Sequence, residues 1–438
     1  MTSSSKVVTA VFAIFLSAFI ILCPAAAETP QMPVNPDVMA ARNILDSWGG
    51  DGQALMQAHI RVLRALKAAP DDCLALKELA RYQMLSGFIN NRYVEYHKHV
   101  YTVGNFSPGS LEKAEATVRR AIKINPHFAE GYVLLGYLQY QHTNIDEAAK
   151  TLSKAEKLGT DDPWLQLNWA YIDTAKGNYS AANTRAERVL ASSTTNQKAI
   201  TTAYQFLIKG YKRTGEYEKV VTIYDRRIKE RPNDAWLRGN FAAFLTGTLN
   251  RNNEAIAQAR AALRIMDYGV GERTLAMALY RKWSDMVVQQ KAREGERYFK
   301  EAYAIYPDLA DVMAYGAAEP AGAHLAKALT TVKHISIDSP AEDGSTALLI
   351  ATNRNRTKLV RTLLQLHANP NVHSRNGWTP LLSAADEGNT AIVNLLLAKH
   401  ADVHARAPWN GEDAAFFAKR SGNAELAAKL RKLEGNSN

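Results

Sequence analysis

The 438-residue chain predicts an all-α architecture of tandem solenoids, and three observations carry that prediction. Ala129 to Asn196 reads as one pattern written twice: Gly136 is followed by Ala170, Ile145 by Tyr179 and Ala148 by Ala182, each 34 residues apart. A second period appears later. Asp343-Gly344-Ser345-Thr346-Ala347-Leu348 recurs as Asn376-Gly377-Trp378-Thr379-Pro380-Leu381, and Val360 with Leu363-Leu364 recurs as Val393 with Leu396-Leu397, each 33 residues on. The third is a recurring stop, at Pro70-Asp71-Asp72, Asn125-Pro126, Arg231-Pro232-Asn233-Asp234 and Tyr306-Pro307-Asp308. Proline cannot continue a helix, and the acid or amide beside it can cap the next one. Fixed periods of this size mean stacked like units, each too small to bury its apolar face alone.

Bulk properties agree. The chain is too long for one compact core, and its 47% hydrophobic and 22% charged residues are those of a folded protein. Lys6, the apolar run Val7 to Leu22 and the small residues Ala25-Ala26-Ala27 read as a secretory signal peptide over 1–27, cut after Ala27. An uncleaved anchor is the alternative, but the run is short for a span and ends at Pro24. With the signal removed, no transmembrane span is expected. Losing residues 1–27 takes away Lys6 and no acid, so the net charge falls from +10 to +9. That is a mild excess, which argues against nucleic acid as a partner. Cys73 is then the single cysteine, so no internal disulfide forms, as suits a bacterial periplasm. Export to the periplasm or outside the cell is the expected localisation.

In chain order, residues 28–38 carry three prolines and read as an extended leader. Helical patterning runs over 39–313. Ala54 to Ala69 places Leu55, Ala58, Val62, Ala65 and Leu66 on one face. Small and apolar positions precede the stops at Pro126, Pro232 and Pro307, namely Ala114, Val118 and Ala121, then Val220 and Tyr224 with Arg227 replacing a small residue, then Phe299 and Ala302, and the opening stretch has Ala148, Leu152 and Ala155. Small residues there let paired helices approach closely. The turns between paired helices repeat as Thr143-Asn144-Ile145, Gly177-Asn178-Tyr179 and Gly215-Glu216-Tyr217. About seven helix pairs fit. One pair, Leu74 to Leu85 and Leu111 to Ile124, is split by an insert near 87–110 holding Phe88, Tyr93, Tyr96, Tyr101, Phe106, His97 and His99. Two readings of it stand: aromatics that lengthen the two helices, or a functional loop on one face.

Tyr132…Leu135-Gly136…Ala148…Leu152…Ala155 and Tyr204…Leu207…Tyr211…Gly215…Tyr217…Tyr224…Pro232 resemble the tetratricopeptide repeat. Beyond a linker at 314–322, residues 323–434 resemble ankyrin repeats: Asp-Gly turns, Thr346-Ala347-Leu348 and Thr379-Pro380-Leu381 helix starts, and paired leucines. A weaker copy runs from Asn410-Gly411 to Leu430, and Leu325 to Val332 is a leading half-repeat. Leu349 and Leu382 replace that family's histidine, and His367 and His400 replace its helix-ending glycine, which should strain those ends. A chain that combines both repeat kinds behind a signal peptide resembles an exported bacterial type.

Chemistry is sparse. His97 and His99 lack a nearby ligand cluster, the phosphate-loop motif is absent, and Gly-x-Ser-x-Gly is absent too. Neither a metal, a cofactor nor an enzyme activity is expected, and Cys73 reads as core. Binding surface is the better reading. The resemblance places the first helix of each pair on the concave face, which puts Glu130, Val133, Tyr137 and Tyr140 there. Trp164, Leu167 and Tyr171 come next, then Gln205, Lys209, Lys212, Arg213 and Trp236. Aromatic and basic groups together suit protein or peptide segments of acidic character. The alternative is that the tyrosines pack between repeats. Trp378 and Trp409 fall in hairpin loops that the ankyrin family uses for partners. The expected function is a scaffold or adaptor in the bacterial envelope. The rivals are an accessory subunit of an envelope enzyme or secretion machine, and an enzyme or ligand-binding protein using the insert.

Overall fold

The computed structural model describes residues 34–96, 99–314 and 321–435, with side chains omitted over 89–105 and 321–323. The signal segment and most of the 314–322 linker lie outside the described residues. Helix α1 (Pro36–Ser47) pairs with α2 (Gly52–Ala68). Helices α3 (Cys73–Ser86) and α4 (Pro108–Ile124) form the interrupted pair, with strands β1 (Phe88–Tyr96) and β2 (His99–Phe106) between them. Then come α5 (Ala129–Gln141) with α6 (Ile145–Leu158), α7 (Pro163–Ala175) with α8 (Tyr179–Ala191), and α9 (Gln197–Thr214) with α10 (Tyr217–Glu230). Helix α11 (Ala235–Phe244) runs through a π-turn at Leu245–Leu249 into α12 (Asn252–Ile265), and α13 (Gly269–Val288) pairs with α14 (Ala292–Ile305). The first helices stack in a row, α1 on α3, α3 on α5, α5 on α7 and α7 on α9, and further on α11 packs on α13. The row curls far enough that α1 touches α9.

The proline-and-acid stops work as helix starts. Asp72 accepts from the backbone N–H of Leu74 at 2.9 Å and Ala75 at 3.1 Å, and Asp234 accepts from Leu237 N–H at 3.0 Å. Asn35 caps α1 ahead of Pro36, accepting from Asp37 N–H at 2.9 Å, so the expected leader gives way to helix at residue 36. An asparagine cap before proline at the first helical position is itself a start signal. The repeated small positions are fully buried, among them Ala114, Ala121, Ala148 and Ala155. At Gly136 even a Cβ would come within 2.5 Å of Leu152 on the paired helix, so only glycine fits that approach. Arg227 is buried where a small residue was expected; it pairs with Glu230 at 3.1 Å and lies 4.6 Å from the Tyr204 ring centroid.

The turns between paired helices each need one left-handed residue. Gly177 and Gly215 supply it at φ +78° and +79°, whereas Thr143 holds the same position at φ +63°. A β-branched residue in that region is strained. Thr143→Gly is therefore expected to stabilise the chain by about 1 kcal/mol, the conformational gain exceeding glycine's extra entropy in the unfolded state. Urea unfolding checks the sign, and a destabilised variant would contradict it. His367 and His400 sit at φ +65° and +63°, the strained helix ends that the sequence implied.

The insert does not lengthen the two helices. It is an antiparallel hairpin with Phe88 opposite Phe106 and Tyr96 opposite His99, irregular between Asn90 and Arg92. Phe88, Ile89, Tyr93, Val94 and Tyr96 in one arm and Val100, Tyr101, Thr102, Val103 and Phe106 in the other are residues that favour a pleated surface over a helix. Ser107 N–H donates to the Gly87 carbonyl at 2.8 Å to close the base, where the Phe88 ring lies 5.4 Å from Phe106 and 6.2 Å from Trp48. His97 lies outside the described residues, and the side chain of His99 is not described.

Four shorter pairs follow: α15 (Leu309–Ala314) and α16 (Ala321–Val332), α17 (Ala347–Asn353) and α18 (Thr357–Gln365), α19 (Pro380–Asp386) and α20 (Thr390–Leu397), α21 (Ala414–Arg420) and α22 (Ala424–Gly435). They stack as an inner row, α15 on α17, α17 on α19 and α19 on α21, and an outer row, α16 on α18 and α18 on α20. The expected half-repeat is thus completed by α15, a segment assigned to the first array from sequence. Leu349 and Leu382, in the place of histidine, are fully buried, while Thr379 Oγ1 still caps its helix at Leu382 N–H, 3.2 Å away. One apolar core runs from Leu167 through Trp283 to Leu430, so the arrays share their packing.

Candidate partner-binding surfaces

The N-terminal part of the first-helix row carries an ion-pair lattice. Glu78, 0% exposed, receives Arg42 Nε at 2.9 Å and Arg81 Nη1 at 2.7 Å. Arg81 also reaches Asp46 at 2.6 Å, Arg42 reaches Glu130 at 3.1 Å, and Lys77 bridges Glu130 and, at 3.4 Å, Asp162. Burial alone would raise the Glu78 pKa, but Arg81, Lys77 and Arg42 outweigh it and hold the carboxyl below its usual range. Lys198 of α9 is drawn into the same field: burial, then the Arg81 charge, lowers its pKa. Glu130, expected to meet a partner, is engaged inside the chain. Val133 and Leu167, read as groove-facing, are buried core.

The tyrosines form a ladder across repeats. Tyr171 lies 5.9 Å from Tyr137, 5.4 Å from Tyr140 and 4.8 Å edge-on from Phe206. Burial first, then the neighbouring Tyr171, raises the pKa of the Tyr137 hydroxyl, as expected of a ring packed away from water. Trp164 is half-buried against the same clusters. Rings that touch three helices at once act as packing between repeats. Tyr171→Ala should cost about 3 kcal/mol of stability by removing those contacts. Thermal melting checks this, and an unchanged melting temperature would contradict it.

The cationic positions are open. Lys209, Lys212 and Arg213 are exposed on α9, with Lys212 Nζ 4.6 Å from the Phe244 ring centroid. Trp236 is 49% exposed and leans on Tyr268 at 4.8 Å.

Trp378 and Trp409 do come together. Their rings are 5.1 Å apart, and Trp378 rests on buried Phe417 at 5.2 Å while Trp409 stays 51% exposed. With Arg375, Asn376 and Pro408 they line an open cleft of about 500 Å³. The loops that hold them are tied at several points. Ser374 N–H donates to the Trp378 carbonyl at 3.0 Å, Trp378 N–H to Ser374 Oγ at 3.3 Å, and Arg375 N–H to the Asp343 carbonyl of the preceding loop at 3.0 Å. Gly377 is required on two counts, a φ of +75° and a Cβ position 2.3 Å from Pro408. A second groove of about 280 Å³ shares Asn376 and Trp378 and continues over Leu349 and Ser383 between Asp343, Asp386 and Glu387. Those carboxylates escaped the sequence reading, although the period contained them. Asp343, Asn376 and Trp409 are spaced by 33, as are Asn353 and Asp386.

Among the described residues, no helix is long and apolar enough to cross a membrane. Residues 315–407 match the family described as ankyrin repeats (3 copies). No curated protein matches the chain. Among solved structures, the chain is similar to a crystal structure of YrrB, described as a TPR protein with an unusual peptide-binding site. It is 16% identical, with 44% of this chain and 93% of that chain covered and a TM-score of 0.34. Residues similar to ankyrin repeats thus follow a longer array of helix pairs, and ankyrin repeats indicate a protein-interaction module.

Proposed function

We propose that the chain is a non-catalytic scaffold of the bacterial envelope that holds a protein partner at the Trp378–Trp409 cleft. The observation that supports this is the pair of tryptophans fixed 5.1 Å apart on tied hairpin tips, one of them half exposed. Rigid, partly solvated aromatic rings give large contact area at little entropic cost, which is why tryptophan dominates interface anchors. The envelope placement rests on Lys6, the apolar run Val7 to Leu22 and Ala25–Ala27. Lys209, Lys212, Arg213 and Trp236 offer the first array a separate face for an acidic segment.

Affinity purification of the full chain from the envelope fraction tests the reading. Trp378→Ala/Trp409→Ala should release the partner, each anchor being worth about 2 kcal/mol or more of affinity, and the half-exposed Trp409→Ala alone should weaken it while the melting temperature stays near that of the parent. A partner retained equally by the double variant, or a chain recovered only from the cytoplasm, would overturn it.

A further inference from the structure

We infer that the groove beside the tryptophan pair receives a cationic side chain, an arginine or lysine carried on an extended segment of the partner. This rests on the scaffold reading and specifies the chemistry of what the scaffold holds. Over residues 321–435 the chain has fourteen lysines and arginines against ten acids, so the array as a whole is basic. The groove reverses that sign: Asp343, Asp386 and Glu387 line it, and no lysine or arginine does.

Internal cations neutralise this charge only in part. Asp386 pairs with Arg420 at 2.6 Å. Asp343 accepts from uncharged donors, Ser345 N–H at 2.8 Å and Ser345 Oγ at 2.9 Å, and Glu387 Oε2 accepts from Asn355 Nδ2 at 3.0 Å. Neither has an ion-pair partner among the described residues. The nearby cations point elsewhere: Arg354 is bound to Asp311 at 2.8 Å, and Arg375 lines the outer cleft.

Shape points the same way as charge. The groove volume of about 280 Å³ is small for a whole drug-sized ligand but accommodates one long side chain. Trp378 also lines the groove, and the stem of an arginine or lysine can lie against that ring while the charged head meets the carboxylates. Planar guanidinium is favoured, because two carboxylates and flanking amide oxygens match its forked donors.

Calorimetric titration of the full chain with hexaarginine and with hexaglutamate, at low and at raised salt, tests the assignment. Hexaarginine should bind, weaken as salt rises, and bind at least tenfold more weakly to Asp343→Asn/Glu387→Gln, whose melting temperature should match the parent. Failure of hexaarginine to bind, binding unaffected by that double variant, or equal binding of hexaglutamate would each overturn it. The same variants in the purification experiment separate the two ideas. A partner released by Trp378→Ala/Trp409→Ala but kept by Asp343→Asn/Glu387→Gln ends the cationic assignment and leaves the scaffold intact.

Discussion

Asp311→Ala is expected to lower stability by about 3–5 kcal/mol and to uncouple the two arrays, turning one thermal transition into two. Asp311 is 2% exposed, and its carboxylate is shared across the junction. Oδ2 receives Arg273 Nε of α13 at 3.1 Å and the Tyr306 hydroxyl at 3.0 Å, while Oδ1 receives Arg354 Nη2, from the end of α17, at 2.8 Å. One anion therefore faces two cations contributed by different arrays. Deleting it takes a buried carboxylate away from two partly buried guanidinium groups, which costs far more than a surface pair returns. Asp311→Asn keeps the shape and should lose less. Differential scanning calorimetry reads both quantities. A parent-like single transition in the alanine variant would show that the shared apolar core alone joins the arrays.

Glu78→Ala should have an effect of similar size, about 3–5 kcal/mol, because Arg42, Arg81 and Lys77 converge on that carboxylate at the N-terminal end. Here the damage should spread along the row of first helices, since Arg42 and Lys77 also hold Glu130. Acid sensitivity follows from the same contacts. The folded pKa of Glu78 lies below its ordinary value, so its contribution is complete above roughly pH 4.3. That contribution disappears as pH falls through the depressed folded value. Glu78→Gln should lower stability near neutrality and flatten the loss between neutral pH and the acid limb. Urea midpoints measured from pH 7 down to 3 check this; parallel curves for parent and variant would contradict it.

Periodic features of the fold were legible because repetition writes them many times. The 34- and 33-residue registers, the capping acids Asp72 and Asp234, and the left-handed His367 and His400 are local, and each follows from backbone chemistry a few residues long. The hairpin was missed because its arms carry mixed aromatic and polar residues at helical as well as strand spacing, and no Asn-Gly or Asp-Gly pair stands between Phe88 and Phe106. Surfaces were harder. Glu130 looks like any exposed helical acid, and its engagement depends on Arg42, 88 positions away, and Lys77, 53 away. Tyr137, Tyr140 and Tyr171 satisfy a groove and a packing seam equally well in sequence; the contact of Tyr171 with Phe206 shows that its ring also packs between repeats. Trp378 and Trp409 were readable as residues of the hairpin loops, though the contact of their rings with each other and of Trp378 with Phe417 was not. The carboxylate row beside them was not, because three acids spread over 45 residues acquire a common sign only once the inner helices stack.

The central claim is that the Trp378–Trp409 cleft contacts a protein in the cell. A photoreactive phenylalanine derivative placed at position 409 of the full chain, irradiated in the source cells, tests this most directly. A second probe at Met56, exposed on α2 of the first pair, serves as the comparison. A discrete adduct from position 409, absent from position 56 and lost when Trp378→Ala is added, is the predicted result. No adduct from 409, or the same adducts from both positions, would contradict it.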